Sequence, residues 1–349
     1  MKLNTKIPFD LLSFGDNTIF LFSSLLLRRN ISHFPFTHKL SKNQAVLLTE
    51  KIVNAHAEKK FLLFDYDHWD IKEKEYFLEH LFNSHPSIFS YPPKHVFIHP
   101  EDKSILYVKG EDHLHIQFFA KKLEELNHKK NHLIDLERRL QNTLSFTFSE
   151  RFGYLTALPQ YCGTAFSISI YLHLPLSLSL DPLKTSLKAN LDEGVCIQDL
   201  ENNQTDLGHI VILFNQYTLG LNEDEIVSRL YTSALKLITK EEEQREEILK
   251  TENPHVKDMV ARAFGLLKHS YELEIKETIQ SLSLIKLGVE LSWIKNIDLS
   301  VVNDLFFHAQ NAHLATYLKK EEQKVSFHER ALFIHDNLKT MTLEEDLIK

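Results

Sequence analysis

The chain has 349 residues, 43% hydrophobic and 25% charged, with a net charge of -8; this is the make-up of an ordinary globular protein long enough for two domains. Its basic residues form no stripe, which argues against a nucleic-acid partner, and its two cysteines, Cys162 and Cys196, make neither a disulfide framework nor a zinc site and fit a reducing cytoplasm. The apolar run at 19–27 is too short to span a membrane and lacks a signal-peptide cleavage site.

Residues 19–27 read as a strand running through Arg28, Arg29 and Asn30 towards a turn at Pro35. Residues 41–59 read as a helix capped by Ser41, with Val46, Leu47, Ile52, Val53 and Ala57 as its apolar stripe. A strand at 61–64, a helix at 70–82 and a proline-rich loop at 84–94 follow, then strands at 95–99 and 104–108. The next run is Lys109-Gly110-Glu111-Asp112-His113-Leu114-His115-Ile116-Gln117. His113 and His115 share one face of a strand, but two imidazoles without further ligands do not make a metal site. Residues 123–144 read as a long amphipathic helix with Leu133, Leu136, Leu140 and Leu144 on its apolar stripe.

The stretch 153–175 organises the chain. Ser167, Ser169 and Tyr171 alternate with Phe166, Ile168, Ile170 and Leu172, the period of a half-buried strand, opened by Gly163 and Thr164 and ended by Pro175. Its polar face is a place for a ligand to lie. A short helix at 183–191, a loop at 194–208 and a strand at 209–214 come next. Residues 222–249 read as one helix, capped by Asn222 with Glu223, Asp224 and Glu225 in its first turn. Residues 252–254 break the pattern and divide the chain into domains at 1–252 and 253–349, the second a small all-helical bundle around Leu266, Leu267, Ile275, Ile279, Leu282 and Leu287.

Four of these stretches carry a resemblance. Gly153, Tyr154, Leu155, Thr156, Pro159, Gly163, Thr164, Ser169, His173, Leu174 and Pro175 match the signature of the phosphagen kinase superfamily, most closely its bacterial protein arginine kinase (McsB-type) branch. Glu111, Asp112, His113, Leu114, Ile116 and Gln117 match the motif that holds the family's catalytic carboxylate. Ser23, Ser24, Arg29 and Asn30 match the first-strand motif, and segments such as Ala263-Phe264-Gly265-Leu266-Leu267 resemble the helical dimerisation domain specific to that branch. The resemblance implies an α+β fold: a mixed, mainly antiparallel sheet flanked by helices, then a helical domain. It also implies Glu111 and Glu201 as the carboxylates that grip a guanidinium, with Glu111 as base.

The departures fall on the phosphate side. By the resemblance, His115, Ser167 and Cys196 stand where the family has phosphate-binding arginines, residues 25–27 fill the place of two more, and Leu158 replaces a reactive cysteine. His173 keeps the family's place near the nucleotide base. Neighbouring strand residues point to opposite faces, so Arg28 is not expected to replace the lost arginines. Only Arg330 and Ala331 survive of a phosphoarginine-reading motif near the end. Hydrogen bonds to a charged group contribute about 1.5–3 kcal/mol each, so five lost arginines remove nominally about 7–15 kcal/mol. A millimolar complex has only about 4 kcal/mol.

The expectation is a pseudokinase of the protein arginine kinase family, without Mg-ATP, acting as a cytoplasmic binding or regulatory protein. By resemblance its partners are a second copy, a zinc-containing McsA-type activator and a Clp chaperone–protease. The alternative is an active ATP-dependent protein arginine kinase with new phosphate ligands from Arg28, Arg29, Arg151 or nearby lysines.

Overall fold

Ten-residue strand β1 (Phe20–Arg29) lies near the middle of an eight-stranded sheet. A computed structural model describes residues 12–55, 61–81, 92–180, 185–200, 207–320 and 324–344. After β1 come α1 (Lys42–Ala55), β2 (Leu62–Asp65), α2 (Ile71–His80), β3 (His95–Ile98), β4 (Ile105–Val108), β5 (Leu114–Ala120) and α3 (Leu126–Gln141). A small hairpin, β6 (Phe148–Ser149) and β7 (Gly153–Tyr154), leads to β8 (Phe166–His173), α4 (Pro175–Leu180), α5 (Thr185–Ala189), β9 (Val195–Asp199), β10 (Ile210–Asn215) and α6 (Glu223–Thr251). The C-terminal part holds α7 (Pro254–His269), α8 (Ile275–Glu290), β11 (Ile294–Lys295), α9 (Leu299–His308), α10 (Asn311–Tyr317), α11 (Phe327–Asn337) and β12 (Thr342–Leu343).

The sheet runs β2-β3-β4-β5-β1-β8-β10-β9. Every strand pairing within this sheet is antiparallel, in line with the mainly antiparallel sheet expected. Side-chain alternation on β8 sorts the two faces as its sequence implied. Phe166, Ile168, Ile170 and Leu172 enter one core with Leu25, Leu27 and Ile116, under Leu133, Leu136 and Leu140 of α3 and Ile226, Leu230 and Leu237 of α6. Tyr171 enters the other, where its ring stacks on Phe22 at 4.1 Å, a pairing that contributes about 0.5–1.5 kcal/mol beyond its buried area.

That second core is continuous with the C-terminal helices. Phe22, Tyr171, Ile210 and Ile212 of the sheet share it with Leu282, Ile285, Phe306 and Ile334. The break anticipated at 252–254 is a left-handed Glu252 followed by Asn253, whose side chain caps α7 with Pro254 in its first turn. The C-terminal part is not all helix as expected: Ile294 and Lys295 pair with Leu343 and Thr342, so the chain end is stitched back beside α8. Arg330 is buried within this part. Its Nε donates to Ala309 O at 2.9 Å, its Nη1 to Leu273 O at 3.0 Å and its Nη2 to Asn311 Oδ1.

Candidate functional site

The polar end of one sheet face forms the site. Residues opposite one another in an antiparallel ladder point to the same side. Arg28 stands opposite His115, Leu26 opposite both Gln117 and Ser167, and Ser24 opposite Ser169. Arg28, His115, Ser167, Ser169, Ser24 and Gln117 therefore share one face. Arg29 goes to the other, where it pairs with Glu137 at 3.0 Å beneath α3 and its guanidinium lies 3.4 Å over the Tyr154 ring.

This corrects the expectation for Arg28. It is 1% exposed, its Nη1 donates to Ser167 Oγ at 2.7 Å, and its guanidinium lies 3.9 Å over the ring of Tyr161. Burial lowers its pKa, against the attraction of Tyr161, Asp112 and Glu111. Alternation was the right rule, but counting from Ser24 puts Arg28, not Arg29, on the site face. Tyr161 was not foreseen. Of the other cations considered, Arg151 sits in the exposed turn of the β6–β7 hairpin.

The segment between β4 and β5 supplies the carboxylates. Asp112 Oδ1 accepts from Asn30 Nδ2 and from the Ala157 N–H, each at 2.6 Å, and Oδ2 faces His115 Nε2 at 3.3 Å. Burial raises the Asp112 pKa, but hydrogen bonds from His115, Ala157 and Asn30 outweigh it and hold the group below the ordinary value. His115 is 1% exposed, and burial lowers its pKa despite the bond to Asp112. It is a neutral imidazole at physiological pH and supplies no positive charge. His113 is a structural residue. Its Nδ1 accepts from Ile31 N–H at 2.9 Å and its Nε2 lies 2.9 Å from Pro35 O, so both ring nitrogens are used.

Glu111 differs from its neighbour. Its carboxylate lines a cavity of about 250 Å³ with Thr37, His38, Ala157 and Leu158. Oε2 is buried with no hydrogen-bond partner among the described residues. Burial, then the nearby Asp112 charge, raises its pKa, with Arg28 opposing. The wall opposite depends on two glycines at positive φ. A Cβ on Gly153 would meet Gly163 O at 2.6 Å, and one on Gly163 would meet Thr218 O at 2.2 Å. That close approach seats the loop carrying Ala157, Leu158 and Tyr161. Cys162, in the same loop, is half-buried with Sγ 3.6 Å from Thr156 Oγ1.

A family model for the ATP:guanido phosphotransferase C-terminal catalytic domain matches residues 42–244, and one for the protein-arginine kinase McsB C-terminal domain matches residues 253–347. The chain belongs to the protein-arginine kinase family. It is 29% identical over 331 residues to the protein-arginine kinase of Clostridium acetobutylicum, covering 93% of this chain and 97% of that one. It is 31% identical over 332 residues to that of Clostridium kluyveri (92% and 94%) and 30% identical over 336 residues to that of Geobacillus kaustophilus (93% and 91%). Among solved structures it is similar to the substrate-free duplicated taurocyamine kinase from Schistosoma mansoni, with a TM-score of 0.53 and 23% identity over 68% of this chain and 36% of that chain. A lombricine kinase aligns with a TM-score of 0.52 and 17% identity over 72% and 74%. At such identities these two show the phosphagen kinase fold alone. Arg28 lies outside the matched catalytic-domain region.

The remaining positions expected from the resemblance are dispersed. Cys196, on the edge strand β9, stands opposite Phe214, itself opposite Ser169, so it shares the site face. Burial raises its thiol pKa, so it is uncharged at neutral pH. Glu201 lies outside the described residues, as does most of the 84–94 loop. His173 needs a correction: it is 0% exposed and its Nε2 is 2.7 Å from Ser283 Oγ of α8, so it packs inside the seam with the C-terminal helices instead of facing an open base-binding surface. Among the described residues no helix is long and apolar enough to cross a membrane.

Proposed function

We propose that this chain is a non-phosphorylating member of the protein-arginine kinase family: a binding or regulatory protein that keeps the carboxylate side of the site and has given up the phosphate side. The observation that carries this reading is the state of Arg28. Its guanidinium lies on the face where the family, by resemblance, places several, and it is already bonded to Ser167, laid on Tyr161 and attracted by Asp112 and Glu111. His115, Ser167 and Cys196 add no charge. Phosphoryl transfer depends on neutralising and positioning the transferring group, and a Mg-bound triphosphate does not fit a face with so little positive charge to replace its water. An acidic cavity at Glu111 still suits a guanidinium or another cationic group.

Mass spectrometry tests this directly. Full-length protein incubated with Mg-ATP and an arginine-rich protein substrate should yield no phosphoarginine above the no-enzyme control. Phosphoarginine formed in proportion to enzyme would establish the second reading, an active kinase. One observation favours that reading: Arg28 does face the site, and a substrate that drew it off Ser167 would gain a phosphate ligand.

The partners inferred by resemblance remain part of the proposal: a homodimer, an McsA-type activator and a Clp chaperone–protease. Sedimentation of the full chain should give twice the 40.8 kDa protomer mass; a single 40.8 kDa species would rule out the dimer. Truncation near 252 is not a usable control, because it would strip Phe22, Tyr171 and Ile212 of their cover.

A further inference from the structure

Helix α2 lies early in the chain, yet one of its stripes is bonded to the C-terminal helices. Lys72, Tyr76 and Glu79 are spaced by four and three, so they share one side of the helix. Both Glu79 oxygens accept from the Ala312 N–H at 2.9 Å, and Oε2 also accepts from the His313 N–H at 3.0 Å. His313 Nδ1 lies 3.0 Å from the same oxygen, and the His313 ring stacks on Tyr76 at 4.1 Å. At the far end of α10, Lys72 Nζ donates to Lys320 O at 2.6 Å. A carboxylate thus takes up N–H groups that the first turn of α10 leaves unbonded, and an ammonium meets a carbonyl just past its end. Both signs suit the helix dipole.

The start of α10 is also held from α11, where Arg330 donates to Ala309 O and Asn311 Oδ1. Burial lowers the Arg330 pKa, and the attraction of Glu79 and Glu274 opposes it, so the α2 carboxylate and the α11 guanidinium act on each other across that turn. Further round α2, the buried Phe77 reaches the sheet. Its ring meets Tyr107 of β4 edge to face, with centroids 6.4 Å apart. Tyr107 stands opposite His115 in the ladder. Its hydroxyl donates to Gln117 Oε1 at 2.5 Å, and Gln117 Nε2 donates to Ser24 Oγ at 2.7 Å. His115, Gln117 and Ser24 belong to the polar face of the candidate site. One short helix therefore grips α10 with one stripe and backs the site with the next.

We propose that α2 is a coupling element: docked on α10, it takes its position from the C-terminal helices and passes it through Phe77 and Tyr107 to the His115, Gln117 and Ser24 side of the site. Its two states are α2 docked on α10 and α2 released, and they differ by the Glu79 and Lys72 bonds. A shift of α10 then alters the site without touching it. Linkage is reciprocal, so an occupant of the site that moves Tyr107 acts on α10 in turn. The coupling stands whether or not that site binds nucleotide.

Hydrogen exchange and NMR on the full chain test it. Glu79→Ala removes the charged acceptor at the start of α10 and should raise the opening of α2 and α10 together, by about tenfold or more, with α1 and α3 amides unchanged. Lys72→Ala loses a single bond at the other end and should raise both by about threefold, which keeps the question open to measurement if the first variant folds poorly. In each variant the side-chain amide resonance of Gln117 should shift. Unchanged exchange in either helix, an equal rise across α1 and α3, or a Gln117 resonance that stays in place while both helices open faster would each overturn the proposal.

Discussion

Arg28 Nη1 donates a 2.7 Å hydrogen bond to Ser167 Oγ, reaching diagonally from β1 to its neighbour β8. By the resemblance an arginine is expected at 167, and the small serine there leaves the volume that the Arg28 guanidinium fills. Relative to that expected arrangement the charge sits on β1 instead of β8, and it is an internal partner of the sheet face.

The exchange predicts a specific coupling. Ser167→Arg alone sets two guanidiniums together on a buried face and should destabilise the protein by about 1–3 kcal/mol. Adding Arg28→Ala should recover most of that, so the double mutant is more stable than the sum of the single changes by at least about 1 kcal/mol. Urea unfolding of the three variants measures it; strict additivity would contradict the shared space.

Glu111 and Asp112 are neighbours with opposite signs. Asp112 is held below its ordinary pKa, so it contributes stability above about 4 that is lost as pH falls through its lower folded value. Glu111 is held above its ordinary pKa, so its charge costs stability once pH rises through the folded value. Asp112→Asn should destabilise by about 1–3 kcal/mol at pH 7.5. Glu111→Gln should raise the Tm at that pH, and its gain should shrink towards pH 4. Thermal unfolding across this range is the check, and a lower Tm for Glu111→Gln at pH 7.5 would refute the assignment.

By resemblance Arg330 is left from a motif that reads phosphoarginine, yet here each of its three nitrogens donates inward, to Ala309, Leu273 and Asn311. Arg330→Met keeps the stem and strands those acceptors, with an expected loss of about 2–4 kcal/mol. A ligand-reading arginine would be nearly neutral to folding, and calorimetric unfolding separates the two.

Much of this architecture was legible in the residues. The alternation of Phe166 to Leu172, the cap at Asn222 and the break at Glu252 are local signals, and the structure follows them. Arg28 was misassigned although the period of two from Ser24 already placed it on the site face. The partners of His173 could not be read, because Ser283 lies 110 residues away and only the tertiary packing of α8 brings it near. Tyr161, Thr37 and His38 carry no motif of their own; each enters the site through a turn whose path depends on distant contacts, as Gly163 against Thr218 shows.

Titration calorimetry of Mg-ATP into the full-length protein tests the central claim most directly. The arrangement of Arg28, His115, Ser167 and Cys196 predicts no saturable binding below the millimolar range, and a measurable gain in affinity when His115→Arg, Ser167→Arg and Cys196→Arg are combined with Arg28→Ala. A micromolar Kd for the natural sequence would contradict it.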